Sequence, residues 1–213
     1  IRTVTPVSHI SPIQPAEMPD QPPPIRDRDP ALAPAEFREA VDSLQGTVLR
    51  PEARVESIRP PQRLAPWSHA LAADIRGADG GELSTGRLVL LYDPDGAEAW
   101  EGTLRLVAFA SAELEPSMAG DPLLPEVGWS WLTEALEARG ASYLAAGGTV
   151  TQTTSTRFGD VHGPRTSVAL ELRGSWTART PDLAPHLLAF VDMLCNAAGL
   201  PPEGVTVLKN PRE

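Results

Sequence analysis

The stretch DPLLPEVGWSWLTEALEARG, residues 121–140, decides how the rest of the chain is arranged. Asp121 is a typical N-cap, because its carboxylate can accept hydrogen bonds from free backbone N–H groups, and Pro122 suits the first helical position. Pro125 allows a second start four residues later. Gly140 fits the left-handed residue just beyond a helix end. The segment therefore predicts one helix between a three-strand region and a two-strand region.

The apolar side chains of this segment follow helical spacing. Trp129, Leu132 and Leu136 fall at i, i+3 and i+7, so they form one stripe that faces the core. Trp131 lies beside that stripe. Both indoles are most simply explained as core or rim residues. The functional alternative places Trp131 in an exposed contact patch.

Period-two alternation predicts strands on both sides of the helix. The predicted strands cover residues 67–76, 86–92, 103–110, 141–156 and 165–177. A shorter strand around Val55 and Ile58 must end at Pro60-Pro61, because neither proline can donate to a ladder. Inside the fourth long strand, Gly147-Gly148 predicts a bulge or a close approach by another backbone.

Helical spacing also predicts a first helix over residues 35–45 and a last helix that starts after Thr180-Pro181-Asp182. We therefore predict an α+β fold with a single domain over residues 35–208. Its antiparallel sheet has about five strands, its helices cover one face, and the element order is α-βββ-α-ββ-α.

The two ends of the chain carry separate predictions. Residues 1–34 contain nine prolines and predict a disordered or extended arm. The alternative is an arm that docks on the domain as an extended segment. Met18 offers an alternative start, which would leave residues 1–17 as an extension. Residues 209–213 are predicted to be a flexible tail.

The charge and cysteine content exclude several classes of protein. The formal net charge is −10 and the only lysine is Lys209, so the chain lacks the basic face of a nucleic-acid binder. It has no apolar run near the roughly 20 residues of a membrane helix and no signal-peptide pattern. The single cysteine, Cys195, excludes an intrachain disulfide and a thiolate-cluster metal site. We expect a cytoplasmic protein that binds neither membranes nor nucleic acid directly.

Motifs that carry chemistry are absent from the sequence. It contains no dinucleotide fingerprint, P-loop, nucleophile elbow or HExxH, and its four histidines lack metal-ligand spacing. Arg157, Asp160 and His162 form a polar trio that a loop hydrogen-bond network explains as readily as catalysis. We predict no catalytic residue, no metal and no cofactor, and we lean against an enzyme.

One locally basic stretch, with Arg50, Arg54, Arg59 and Arg63, invites a binding role. Arginine offers a planar fork for carboxylate or phosphate, although pairing with the chain's own acidic surface is the simpler interpretation. The rigid Pro60-Pro61 lies beside residue types that often anchor interfaces: Arg59, Gln62, Arg63 and Trp67. The first functional hypothesis is thus a non-catalytic adaptor that binds another protein.

The competing hypothesis is a small-ligand binder or enzyme. Its pocket would lie between sheet and helices, near His69 and Trp129. His69 falls on the apolar face of its strand, so a buried neutral histidine is the simpler interpretation.

Four blocks of the sequence carry a resemblance to a family: residues 59–75, 86–109, 121–140 and 170–177. They resemble an actinobacterial family of unknown function, domain of unknown function 3000 (DUF3000), over roughly residues 36–206. The resemblance implies a cytosolic actinobacterial protein and supplies no assigned catalytic residues. Members encoded beside a ribonuclease D gene imply a link to RNA metabolism, although the acidic composition argues against direct RNA binding.

Overall fold

The computed structural model describes residues 32–160 and 162–203. Three α-helices are found there: α1 (Ala35–Gln45), α2 (Leu124–Ala138) and α3 (Ala184–Ala197). The strands are β1 (Ala53–Ile58), β2 (Trp67–Arg76), β3 (Glu82–Ala97), β4 (Gly102–Leu114), β5 (Tyr143–Thr156) and β6 (Thr166–Ala178). The prediction of an α+β fold with a single domain is confirmed.

All six strands form one antiparallel sheet in the order β1-β2-β3-β4-β6-β5. The strand beyond the predicted five is β1, the short segment that ends before Pro60-Pro61. Because β6 lies between β4 and β5, β6 is internal and β5 becomes an edge. Among the described residues, the two edges of the sheet are therefore β1 and β5.

The helices pack on one face of this sheet. Helix α2 lies against β5 and β6, and α3 lies against β2, β3 and β4. Side chains from alternate strand positions meet beneath them. Leu90, Leu106 and Trp176 are one such row across three strands, and each is almost fully buried. On the other face, the guanidinium of Arg173 lies 5.6 Å from the ring centre of Phe109.

At its two ends, α2 has the second of the two predicted starts and the predicted stop. The helix begins at Leu124, with Pro125 in its first turn. Asp121 lies before it, where its carboxylate accepts a 2.9 Å hydrogen bond from the Leu123 N–H in a turn. At the other end Gly140 has the predicted left-handed conformation, φ +68°. The Ala141 N–H then donates back to the Leu136 carbonyl, which closes the helix.

The predictions for the two ends of the chain concern mainly residues that the structure does not describe. The arm predicted for residues 1–34 lies almost entirely outside the described residues, and the tail at 209–213 lies wholly outside them. Among the described residues, no helix is long and apolar enough to span a membrane.

Candidate functional site

Strand β5 presents the longer free edge of the sheet. It has 14 residues and pairs with β6, and its register is uninterrupted from Gly147 opposite Ser175 to Thr156 opposite Thr166. In the sheet order β5 has no strand on its outer side among the described residues. This ten-residue run, which we call the β5 edge (residues 147–156), therefore offers backbone N–H and C=O groups for pairing with another chain.

The residue types along β5 leave that edge unprotected. Natural edge strands are blunted by charged side chains, prolines, bulges or short length. Residues 143–156 contain no charged residue and no proline. At the opposite edge, β1 has only six residues, carries Arg54 and Glu56, and is followed by Pro60-Pro61. The residues of the β1 edge thus oppose pairing with another strand, whereas those of the β5 edge do not.

A groove of about 300 Å³ lies between this edge and α2, and it is lined by Pro125, Glu126, Trp129, Gly148 and Val150. Because Gly148 has no Cβ, the indole of Trp129 can pack against the strand at this groove. A Cβ placed there would lie 2.7 Å from Cζ3 of Trp129 and would collide with the Arg173 carbonyl oxygen. The half-buried indole of Trp129 therefore rests directly on the backbone of the edge strand.

Arg105 holds the bulge that precedes the regular part of β5. The register with β6 shifts between Leu144 and Gly147, and Ala145 in between has φ +50°. Nη1 of Arg105 donates to the Ala145 carbonyl at 2.9 Å and to Oγ1 of Thr177 at 3.0 Å. Burial lowers the pKa of Arg105, and within the described chain its hydrogen-bond partners are neutral oxygens. By binding the bulge at Ala145, the guanidinium of Arg105 stabilises the point at which the regular β5 edge begins.

The four residues predicted beside the Pro-Pro segment lie together. Arg59, Gln62 and Arg63 are exposed in the loop between β1 and β2, and Arg63 has φ +69°. Trp67 begins β2 and is half-buried, with its ring centre 6.1 Å from that of Phe37 in α1. The loop gives an accessible surface, while Trp67 is partly engaged in the packing of α1.

His69 and Trp129 do not line one cavity in the described chain. His69 lies on β2 and Trp129 contacts β5, and the strands β3, β4 and β6 lie between them. His69 is half-buried, its Nε2 lies 3.4 Å from Oγ of Ser57, and burial lowers its pKa. A single pocket that included both residues would have to extend across these three strands.

The two tryptophans of α2 lie on opposite flanks of the helix. Trp129 faces β5, whereas Trp131 faces α3 and shares a small cavity with Met193 and Ala197. Both are half-buried. The structure therefore brings Trp129, and not Trp131, to the β5 edge.

Sequence reasoning missed the edge itself and most of its groove: Pro125, Glu126, Gly148 and Val150. Two signals were present, namely the Gly147-Gly148 pair and a long strand pattern without charge. Neither signal predicts that β5 is an edge strand, because that depends on the position of β6 between β4 and β5 in the sheet.

No group of three or more His, Cys, Asp or Glu side chains is placed to hold a metal ion in the described part of the chain. In the predicted polar trio of Arg157, Asp160 and His162, Nη1 of Arg157 donates to the Pro164 carbonyl at 2.8 Å. This hydrogen bond stabilises the loop between β5 and β6. Asp160 and His162 are exposed.

Comparison with known proteins gives one match. No curated protein and no solved structure matches the chain. The family described as "Protein of unknown function (DUF3000)" matches residues 33–206, which cover α1 through α3 and so the whole sheet. The chain belongs to the DUF3000 family.

Proposed function

We propose that the protein is a non-catalytic adaptor that binds an extended segment of another protein by strand addition at the β5 edge. The observation that carries the proposal is the ten-residue regular edge, which has no charged residue, no proline and, within the described part of the chain, no outer strand. Strand addition uses main-chain hydrogen bonds for affinity and alternate side chains for specificity.

The groove beside Trp129 supplies the specificity. An added strand would place every second side chain on the helix side of the sheet, beside Trp129 and Val150. An apolar residue of the partner fits there. Glu126 at the rim and the net charge of −10 favour a segment that is neutral or basic.

The exposed loop with Arg59, Gln62 and Arg63 lies next to β1, at the opposite edge of the sheet. An adaptor that contacts a second partner through this loop remains a prediction, as does the link to RNA metabolism that the family resemblance implies.

The test uses random ten-residue peptides selected by display against the full chain, followed by amide hydrogen exchange of the complex. Selected peptides should be rich in β-branched and aromatic residues. Their binding should slow exchange in residues 147–156. Replacing two exposed edge residues, Thr151→Lys and Thr153→Lys, should weaken binding at least about tenfold, since edge lysines oppose strand pairing.

The matched control adds the same charge away from the edge, as Gln45→Lys with Thr180→Lys, both at exposed positions. It should bind like the wild type. Peptides that protect another region, or that bind the edge variant unchanged, would contradict the proposal. Protection of β5 that grows with protein concentration alone would assign the edge to a second copy instead.

A further inference from the structure

A larger groove, of about 650 Å³, runs between α2 and α3 on the outside of the helix layer. We call it the α2–α3 groove. It is lined by Arg50, Glu134, Ala135, Ala138, Arg139, Asp192, Asn196, Pro202 and Glu203. Its volume lies within the range of small-molecule sites, roughly 300–1,000 Å³.

The end of α3 builds one wall of this groove. Gly199 has φ +68°, and the Leu200 N–H donates back to the Cys195 carbonyl, so the chain reverses after the helix. The reversal brings the Pro201 carbonyl within 3.3 Å of Nη1 of Arg50. It also brings Glu203 within 3.4 Å of Nη2 of Arg139.

Two close ion pairs occupy part of the polar lining. Arg139 binds Asp192 through two hydrogen bonds of 2.6 and 2.9 Å. Nε of Arg50 donates to Glu52 at 3.0 Å, and this bond raises the pKa of Arg50. Neither arginine can lose its charge near neutral pH. These pairs fix the positions of both guanidinium groups.

Other groups of the lining keep unused hydrogen-bonding capacity. Arg50 bonds to Glu52, to the Pro201 carbonyl and to the thiol of Cys195, which leaves two of its five N–H donors without a described partner. The side-chain amide of Asn196 has no hydrogen-bond partner within residues 32–160 and 162–203. The same holds for the exposed carboxylate of Glu134. The carboxylate of Glu203 is 60% exposed, and its one contact with another described residue is the 3.4 Å contact with Arg139. Donors and acceptors are thus both available in the same groove.

We propose that the α2–α3 groove binds a small zwitterion of the α-amino-acid type. Its carboxylate is received by the guanidinium of Arg50 and the amide of Asn196, and its ammonium group by Glu134 and Glu203. The side chain of Arg50 is only 7% exposed, so a carboxylate there forms a charge-assisted hydrogen bond at a largely desolvated group. The carboxylates of Glu134 and Glu203 would repel a dianion such as phosphate, so a zwitterion fits the groove better.

The first test screens free α-amino acids by thermal shift on the full chain, at millimolar concentration. At least one should raise Tm. Its methyl ester lacks the carboxylate and its N-acetyl derivative lacks the ammonium group, so neither should do so. The inference is overturned if no free amino acid raises Tm, or if both derivatives act like the parent compound.

The second test measures Kd by titration calorimetry. Glu134→Gln and Asn196→Ala should each weaken binding by about tenfold or more, since each removes a hydrogen bond to a charged group of the ligand. Both side chains lack partners in the described chain, so both variants should fold. Glu137→Gln, an exposed carboxylate of α2 outside the groove lining, is the matched control and should not change Kd.

Wild-type affinity in both Glu134→Gln and Asn196→Ala would overturn the assignment of the groove. This site lies apart from the β5 edge, so the outcome is independent of the strand-addition proposal.

Discussion

The indole N–H of Trp176 in β6 donates a 3.0 Å hydrogen bond to Nδ1 of His186 in α3, and both side chains are buried. Indole can only donate, so Nδ1 must be an acceptor and the imidazole must be neutral with its proton on Nε2. The two rings are stacked, with centres 6.4 Å apart. This pair ties β6 to the first turn of α3 through a residue that titrates.

The pair makes stability depend on pH. Burial lowers the pKa of His186 to about 4, against an ordinary value of 6.5. Between these values the unfolded chain binds the proton and the folded chain does not, so folding free energy is lost as pH falls from 6.5 toward 4. The loss is about 3 kcal/mol. Urea unfolding at pH 7 and at pH 4.5 measures most of it.

The control for this prediction is His186→Asn, which keeps an acceptor near Nδ1 but does not titrate. The variant should be less stable at pH 7 and should show a flatter pH profile, because its buried group needs no proton in either state. An unchanged slope would show that other groups cause the pH dependence.

Two neighbouring glycines of β5 should respond very differently to an added methyl group. In Gly148→Ala the new Cβ would meet Trp129 and the β6 backbone, so we expect a loss of about 2 kcal/mol or more. Nothing lies within 4 Å of a Cβ at Gly147, so Gly147→Ala should stay within about 0.5 kcal/mol. Denaturant midpoints measure both. Equal effects would contradict the close contact between α2 and β5.

The Arg139–Asp192 pair should couple α2 to α3 measurably. The two hydrogen bonds are short, but the side chains are 28% and 23% exposed, so solvent screens the attraction. A double-mutant cycle with Arg139→Ala and Asp192→Ala should give a coupling free energy of about 1 kcal/mol, reduced in high salt. A coupling energy of zero would mean that the pair adds nothing to helix packing.

The thiol of Cys195 should be inert in the folded protein. It is 1% exposed, and burial raises its pKa to about 11. At pH 8 only about one thiol in a thousand would be thiolate, the reactive form. Ellman's reagent should therefore react at the rate of unfolding, and quickly in guanidinium, where the single cysteine serves as its own control. Rapid reaction under native conditions would refute the burial.

The elements of the fold could be predicted because their signals are local. Gly140 ends α2 as expected, since its left-handed conformation depends only on adjacent residues. Of the two predicted starts, the structure has the one beside Pro125, because the Asp121 carboxylate bonds to the Leu123 N–H within a preceding turn. A local pattern cannot decide between two competing starts of this kind.

The sites could not be predicted because their causes are distant in sequence. Arg50 looked like one of several surface arginines, yet it is buried because the chain reverses after α3 and brings Pro201 to it, 151 residues away. In the same way, Gly148 was expected to mark a bulge or a close approach. The bulge occurs at Ala145, and the close approach occurs at Gly148 itself.

The unequal edges of the sheet set a limit on how such chains can assemble. A subunit that can pair on two sides grows into a filament, whereas a subunit that can pair on one side stops at two. Among the described residues, the β1 edge is short, charged and followed by prolines, so β5 is the edge left open for pairing. Under the strand-addition proposal, each chain would therefore pair with one partner strand at β5, and the assembly would end there.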